Sequence, residues 1–183
     1  MRNRLLAAAL FAVPLSLLPA FAQVTPTAHV TFSLVESLPA DVESIDGIVA
    51  AFYAVISGPA GQPRDWGRDA TLYLEPMSFT IASVDPETGK LEARTISKQE
   101  FVDQNDAWLV EIGFTEREIH RETRRFGNIA HAWSTYEWTS GNGGTGRGIN
   151  GIDLFHDGER WWITHATWDS EREDNPIPAE YLP

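Results

Sequence analysis

The feature that most constrains the fold is a change of period at Glu116. From there to Asp169 apolar and polar residues alternate, a spacing that belongs to extended chain because successive strand side chains point to opposite faces. Turn-forming residues interrupt the run. Gly127-Asn128 divides REIHRETRRFGNIAHAWSTYEW into two strands, the glycine-rich SGNGGTG leads into a third, and Asp157-Gly158 joins the third to a fourth. Upstream the period is helical. Ile45, Ile48, Val49, Phe52, Val55 and Ile56 predict a helix over about 42–57, with Asp41 as N-cap and Gly58-Pro59 as its stop. SKQE at Ser97 to Glu100 has capping-box form and predicts a second helix over about 98–109 that buries Phe101, Val102 and Trp108. Between them GPAGQPRDWGRDA reads as loop or short helical turn, and ATLYLEP and LEARTI read as strands around the polar turn VDPETGK. Helices first and long antiparallel strands afterwards specify an α+β domain with its helices gathered on one face of a sheet.

The N-terminus reads as an export signal. Arg2 and Arg4 precede an apolar run from Leu5 to Leu18, and Ala20-Phe21-Ala22 supplies the small-residue cleavage pattern. Pro14 and Pro19 interrupt the run, which is too short for a spanning helix. The expected organisation is a signal peptide over 1–22, an extended lead-in over 23–40, one domain over 41–170, and an acidic, proline-bearing tail over 171–183. The expected location is the periplasm or the exterior. Losing Arg2 and Arg4 takes the 14 basic residues to 12, against 26 acidic ones. Such a surface repels phosphate backbones and anionic headgroups, so neither nucleic acid nor, after cleavage, a membrane is an expected partner. The absence of cysteine excludes thiol catalysis and thiolate metal sites.

The last hairpin carries the candidate site. If Asp157-Gly158 is a two-residue turn, Leu154 faces Trp161, Ile152 faces Ile163 and Asn150 faces His165 on the more apolar side of the sheet. Asn150 and His165 are then a polar pair at the end of a buried stripe. Such a pair either satisfies itself inside the core or opens into a cavity and offers a donor and an acceptor to a ligand. A bulge would shift the register by one and separate them. The earlier hairpin, folded at Gly127-Asn128, pairs Arg124 with His131, Glu122 with Trp133 and His120 with Thr135 on one face, and Arg121 with Ser134 and Ile119 with Tyr136 on the other. Charge among the aromatics suits a wet cavity on one face and solvent or a dimer surface on the other.

Other chemistries are weaker. His120, Glu122, His131 and His165 are the obvious metal ligands, but no H-E-x-x-H or H-x-x-x-H spacing occurs, and no metal or other cofactor is expected. No G-x-S-x-G supports a serine nucleophile. GNGGTGRG lies between antiparallel strands and reads as a hairpin tip, not a phosphate loop.

The layout resembles the nuclear transport factor 2-like superfamily, and FGNIAHAWSTYEW and RGINGIDLFHDGERWWITHATWD resemble its bacterial SnoaL-like members of unassigned function. The resemblance spans about residues 41–170. It implies a cone, a strongly curved and mainly antiparallel sheet wrapped around about three N-terminal helices, with a pocket inside and frequent homodimerisation through the outer sheet face. No catalytic motif of the superfamily's enzymes maps onto this chain, and fold alone does not license a reaction. The expected function is exported binding of a small apolar molecule, with Asn150, Tyr136, Tyr73, Trp161 and His131 as pocket residues. One alternative is an isomerase, dehydratase or cyclase with His165 as general base, oriented by Asn150, and Tyr136 or Tyr73 facing a developing oxyanion. Another is a non-catalytic dimeric interaction domain.

Overall fold

The computed structural model describes residues 29–85 and 87–183; the expected signal peptide lies outside them. Six strands form one sheet: β1 (Tyr73–Val84), β2 (Leu91–Ser97), β3 (Phe114–Phe126), β4 (Ile129–Ser140), β5 (Thr145–His156) and β6 (Trp161–Ser170). Their order is β2-β1-β6-β5-β4-β3, with β1 and β6 parallel and every other pair antiparallel. Four helices accompany the sheet: α1 (Pro39–Val42), α2 (Ile45–Ile56), α3 (Trp66–Ala70) and α4 (Lys98–Ile112). The architecture is the expected α+β arrangement, a curved, mainly antiparallel sheet enclosing helices. Three helices precede the sheet, and the fourth enters between β2 and β3.

The first helical segment is two helices rather than one. Ser44, not Asp41, caps the longer, its hydroxyl accepting from Gly47 N at 2.9 Å. Asp41 is buried instead, and a forked Arg68 guanidinium donates to both of its oxygens at 2.7 and 2.8 Å. Helix α2 lays Ile48, Val49, Phe52, Tyr53 and Val55 against the sheet, where Met77, Phe79, Ala132, Ile152, Leu154 and Ile163 complete the core. Helix α4 has the expected capping box at Ser97 and Glu100 and runs on to Gly113, whose φ of 78° ends it. It buries Val102 and Leu109, while Phe101 and Trp108 are only partly covered.

A buried arginine fixes α4 against α2. Arg64 donates to the carbonyl of Ile56, the last residue of α2, at 2.9 Å, to Gly58 O just beyond it at 2.9 Å, and to Leu109 O at 2.7 Å near the end of α4. A cation at two helix C-termini complements the negative ends of both helix dipoles. The tail turns back over the outer face of the sheet. Tyr181 O accepts from Thr135 Oγ1 at 2.8 Å, and its ring lies 6.2 Å from that of Trp133.

Register decides what faces inward. On β3 and β4 the predicted pairs from Arg124 with His131 to Arg121 with Ser134 are present, but a bulge at Ile119 puts Glu118, not Ile119, opposite Tyr136. On β5 and β6 the pairing differs from expectation twice. The connection is a four-residue loop, Asp157 to Arg160, because the Asp157 carboxylate accepts from Glu159 N, Arg160 N and Trp162 Nε1 at 2.7–2.9 Å. These donors hold its pKa down to about 2. Leu154 therefore pairs with Ile163, not Trp161, a shift of two that leaves faces unchanged. The second departure is a bulge at Thr164, a shift of one that exchanges faces.

Candidate functional site

Inside the cone, between α2, α4 and the inner sheet face, lies a cavity of about 290 Å³. Two groups of rings form its walls. Tyr73, Phe79, Phe101 and Trp168 touch in sequence with centroids 5.1–6.2 Å apart, and Trp108, Phe114 and Trp138 form a second group at 5.7–5.9 Å. Phe52 and Ile56 close the side toward α2. Gln104, Asn105, Thr145, Arg147 and Glu171 also border the cavity, and exposed Thr145 marks the side where it meets solvent. Arg147 and Glu171 form a two-pronged pair there at 2.8 and 3.1 Å.

One carboxyl points into this apolar space. Glu116 projects inward from β3, two residues beyond Phe114 and opposite Trp138. Its partner is Asn150, whose Nδ2 donates to Glu116 Oε1 at 3.3 Å and to the Tyr53 hydroxyl at 3.1 Å. Tyr53 in turn bonds Ser134 Oγ at 2.7 Å, and Ser134 donates to Glu118 Oε2 at 2.5 Å. The chain of contacts crosses from β5 through α2 to β4 and β3. Burial away from water disfavours the charged form and pushes the Glu116 pKa up to about 8, with the Asn150 amide only partly opposing it. Glu116 is partly exposed and lines the cavity. Burial likewise raises the Tyr136 and Tyr53 hydroxyls well above the usual tyrosine range, and Glu116 adds to both.

Beside this network lies a buried ion pair. Lys98 Nζ stands 2.9 Å from Asp69 Oδ2, 4.6 Å from the centroid of Phe32 and 5.7 Å from that of Tyr73. The Tyr73 hydroxyl bonds the same carboxylate. Desolvation raises the Asp69 pKa and the Lys98 charge works against that rise.

Of the residues singled out in the sequence, Asn150, Tyr136 and Tyr73 line the cavity. His165 does not. The bulge at Thr164 turns it to the outer face opposite Asp153, where Nδ1 lies 3.4 Å from Ser78 Oγ, and Trp168 takes the place opposite Asn150. On the outer face His165 cannot serve as a base inside the cavity. His131 also lies on the outer face, bonded to Asp153 at 2.8 Å, because it alternates with the inward Ala130 and Ala132. Trp161 faces inward but packs in the core against His156 at 5.0 Å, under Arg125, away from the cavity. Glu116 was missed because a single acid at the start of a charged strand carries no local mark of burial.

Gly146 and Gly148 belong to β5, not to a hairpin tip, and face inward beneath two aromatic side chains. A Cβ at Gly148 would stand 2.2 Å from Tyr136 Oη and 2.5 Å from Asp169 O; one at Gly146 would meet the Trp138 indole at 2.7 Å. The glycines let both rings lie flat against the sheet and leave the cavity open. Gly148→Ala is expected to cost about 1–3 kcal/mol in thermal or denaturant unfolding, since a backbone oxygen as well as a ring must move. A cost below about 0.5 kcal/mol would show that the close approach is not required.

No family model and no curated protein sequence matches the chain. Solved structures do. LinA superposes with a TM-score of 0.54 at 9% identity, over 77% of this chain and 92% of LinA. A protein of unknown function with a cystatin-like fold from Nostoc punctiforme superposes at 0.52 with 9% identity, over 70% and 90% of the two chains. An uncharacterised cystatin-like protein from Caulobacter vibrioides gives 0.50 at 15% identity, over 72% and 90%. The fold is the cystatin-like one. At these identities the likeness concerns architecture alone, and the chemistry rests on the residues of this chain. Among the described residues no three His, Asp or Glu side chains gather as a cation site, and no helix is long and apolar enough to cross a membrane.

Proposed function

We propose that this chain is a SnoaL-like binding domain for a small, largely apolar molecule held inside the cone, with Tyr73, Tyr136, Asn150 and Glu116 as its polar contacts. The observation that carries the reading is an aromatic-walled cavity into which a few polar residues, Tyr73, Tyr136, Asn150 and Glu116, are set. Export to the periplasm or exterior and homodimerisation through the outer sheet face belong to the same proposal, although the tail already covers part of that face near Trp133. Titration with phenethyl alcohol, followed by quenching of the tryptophans that line the cavity, tests it. Saturable binding of one molecule per chain is expected. Gly146→Val, which drives Trp138 toward the cavity, should abolish it, and His165→Ala on the outer face should leave it unchanged. Binding lost with His165→Ala but kept with Gly146→Val would place the ligand elsewhere.

A second reading, proton-transfer catalysis, is favoured by Glu116. A carboxyl with a pKa of about 8 both gives and accepts a proton at neutral pH, which suits an isomerisation, dehydration or cyclisation. In that reading Glu116 takes the acid/base role expected of His165, and Glu116→Gln abolishes turnover while binding persists.

A further inference from the structure

Glu116 is a half-buried residue whose carboxyl has no counter-ion among the described residues. The groups that face it are the Tyr53 hydroxyl from α2, the Tyr136 hydroxyl from β4 and the Asn150 amide from β5. The neighbouring acid on its own strand, Glu118, adds negative charge near Tyr53. The nearby cations are committed. Arg147 is gripped by Glu171 at 2.8 and 3.1 Å, and Arg121 pairs with Asp46 and, at 3.7 Å, with Glu118. Among the described residues no basic side chain contributes to the Glu116 environment. Around it the cavity is lined by aromatic rings, with Trp138 directly across the strand pair and Phe114 on the same inward face. Aromatic faces attract cations, most strongly in a desolvated site, and a carboxylate supplies the opposite charge that such a ligand lacks in an apolar enclosure.

We propose that the occupant of the cavity carries an ammonium group, seated against Glu116 and walled by aromatic rings, on an otherwise apolar body. The proposal rests on the binding reading above and names the ligand class. At neutral pH the empty site holds the proton on Glu116, so an arriving ammonium displaces one proton as the ion pair forms, and affinity rises with pH until the carboxyl is ionised. Above the pKa of the amine itself affinity falls again.

Calorimetric titration of the full chain with phenethylamine and with phenethyl alcohol, matched in shape and differing in charge, tests this. The amine is expected to bind at least about tenfold more tightly than the alcohol at about pH 8, with about one proton released per amine bound at about pH 7, read from the dependence of the heat on buffer. Glu116→Gln should remove the amine's advantage over the alcohol and the proton release. If the alcohol binds as tightly as the amine to the unaltered chain, the ammonium proposal is overturned and the cavity reading stands. If neither binds, both fail. Should the variant not fold, the unaltered chain decides by itself, since amine binding without proton release contradicts the role given to Glu116.

Discussion

Lys98→Met is expected to cost about 3–5 kcal/mol at neutral pH, because it strands a carboxylate in the core. Lys98 occupies the first position of α4, where the helix dipole disfavours a cation, so Asp69 rather than the helix is what holds the charge there. The two side chains are 6% and 3% exposed and 2.9 Å apart. Without the ammonium, Asp69 keeps only the Tyr73 hydroxyl and must take up a proton or admit water. Adding Asp69→Asn to Lys98→Met should restore much of the loss, since the stranded charge and not the missing attraction is the larger penalty. Denaturant unfolding of both variants is the check. A loss below about 1 kcal/mol for Lys98→Met would mean that water reaches the pair. Because Tyr73 lines the cavity, the single variant should also weaken binding of an apolar probe.

Glu116→Gln should have the opposite sign, and its size should depend on pH. The folded chain keeps the Glu116 proton up to about pH 8, whereas the unfolded chain releases it in the ordinary glutamate range. Between those values the folded state binds more protons, so the stability this group contributes is fully present below the unfolded value and is lost as pH rises through about 8. Glutamine resembles the protonated acid and has no such slope. At low pH the two proteins should therefore be nearly equal in stability. Near pH 9 the variant should be more stable by about 2–4 kcal/mol, allowing for water in the cavity. Melting curves from acid to mildly alkaline pH would contradict this if the difference were flat, or if the variant were the weaker at high pH. A gain in stability on removing a charged group is what a site retained for function leads one to expect.

These two buried acids also mark where sequence pattern stops being informative. Period and turn residues were enough for the α+β order, both long helices, and the β3–β4 pairing from Arg124 to Arg121, because burial of one strand face or one helix stripe is written in local alternation. What failed at His165 was a single extra residue. Lengthening the Asp157 loop by two kept every face, but the Thr164 bulge reversed all that follows it, and no composition signal marks a bulge. Asn150 was legible because it lies on the uninterrupted side of that hairpin, opposite Ser134 and level with the inward Ile152 and Leu154. Glu116 and Lys98 were not, since each owes its burial to elements far away in the chain: α2 and β5 for one, α3 and β1 for the other. Gly146 and Gly148 were visible but ambiguous, as glycine serves a turn and a close ring contact equally well.

The proposed ligand site depends on an acid that stays protonated near neutrality inside an aromatic enclosure. Carbon-detected NMR titration of the side-chain carboxyls, with Glu116→Gln to assign the resonance, measures that state directly. A midpoint for Glu116 near 8 is the predicted result. A midpoint in the ordinary glutamate range would show the carboxyl to be freely solvated, and the enclosed site and the ligand read from it would both be contradicted.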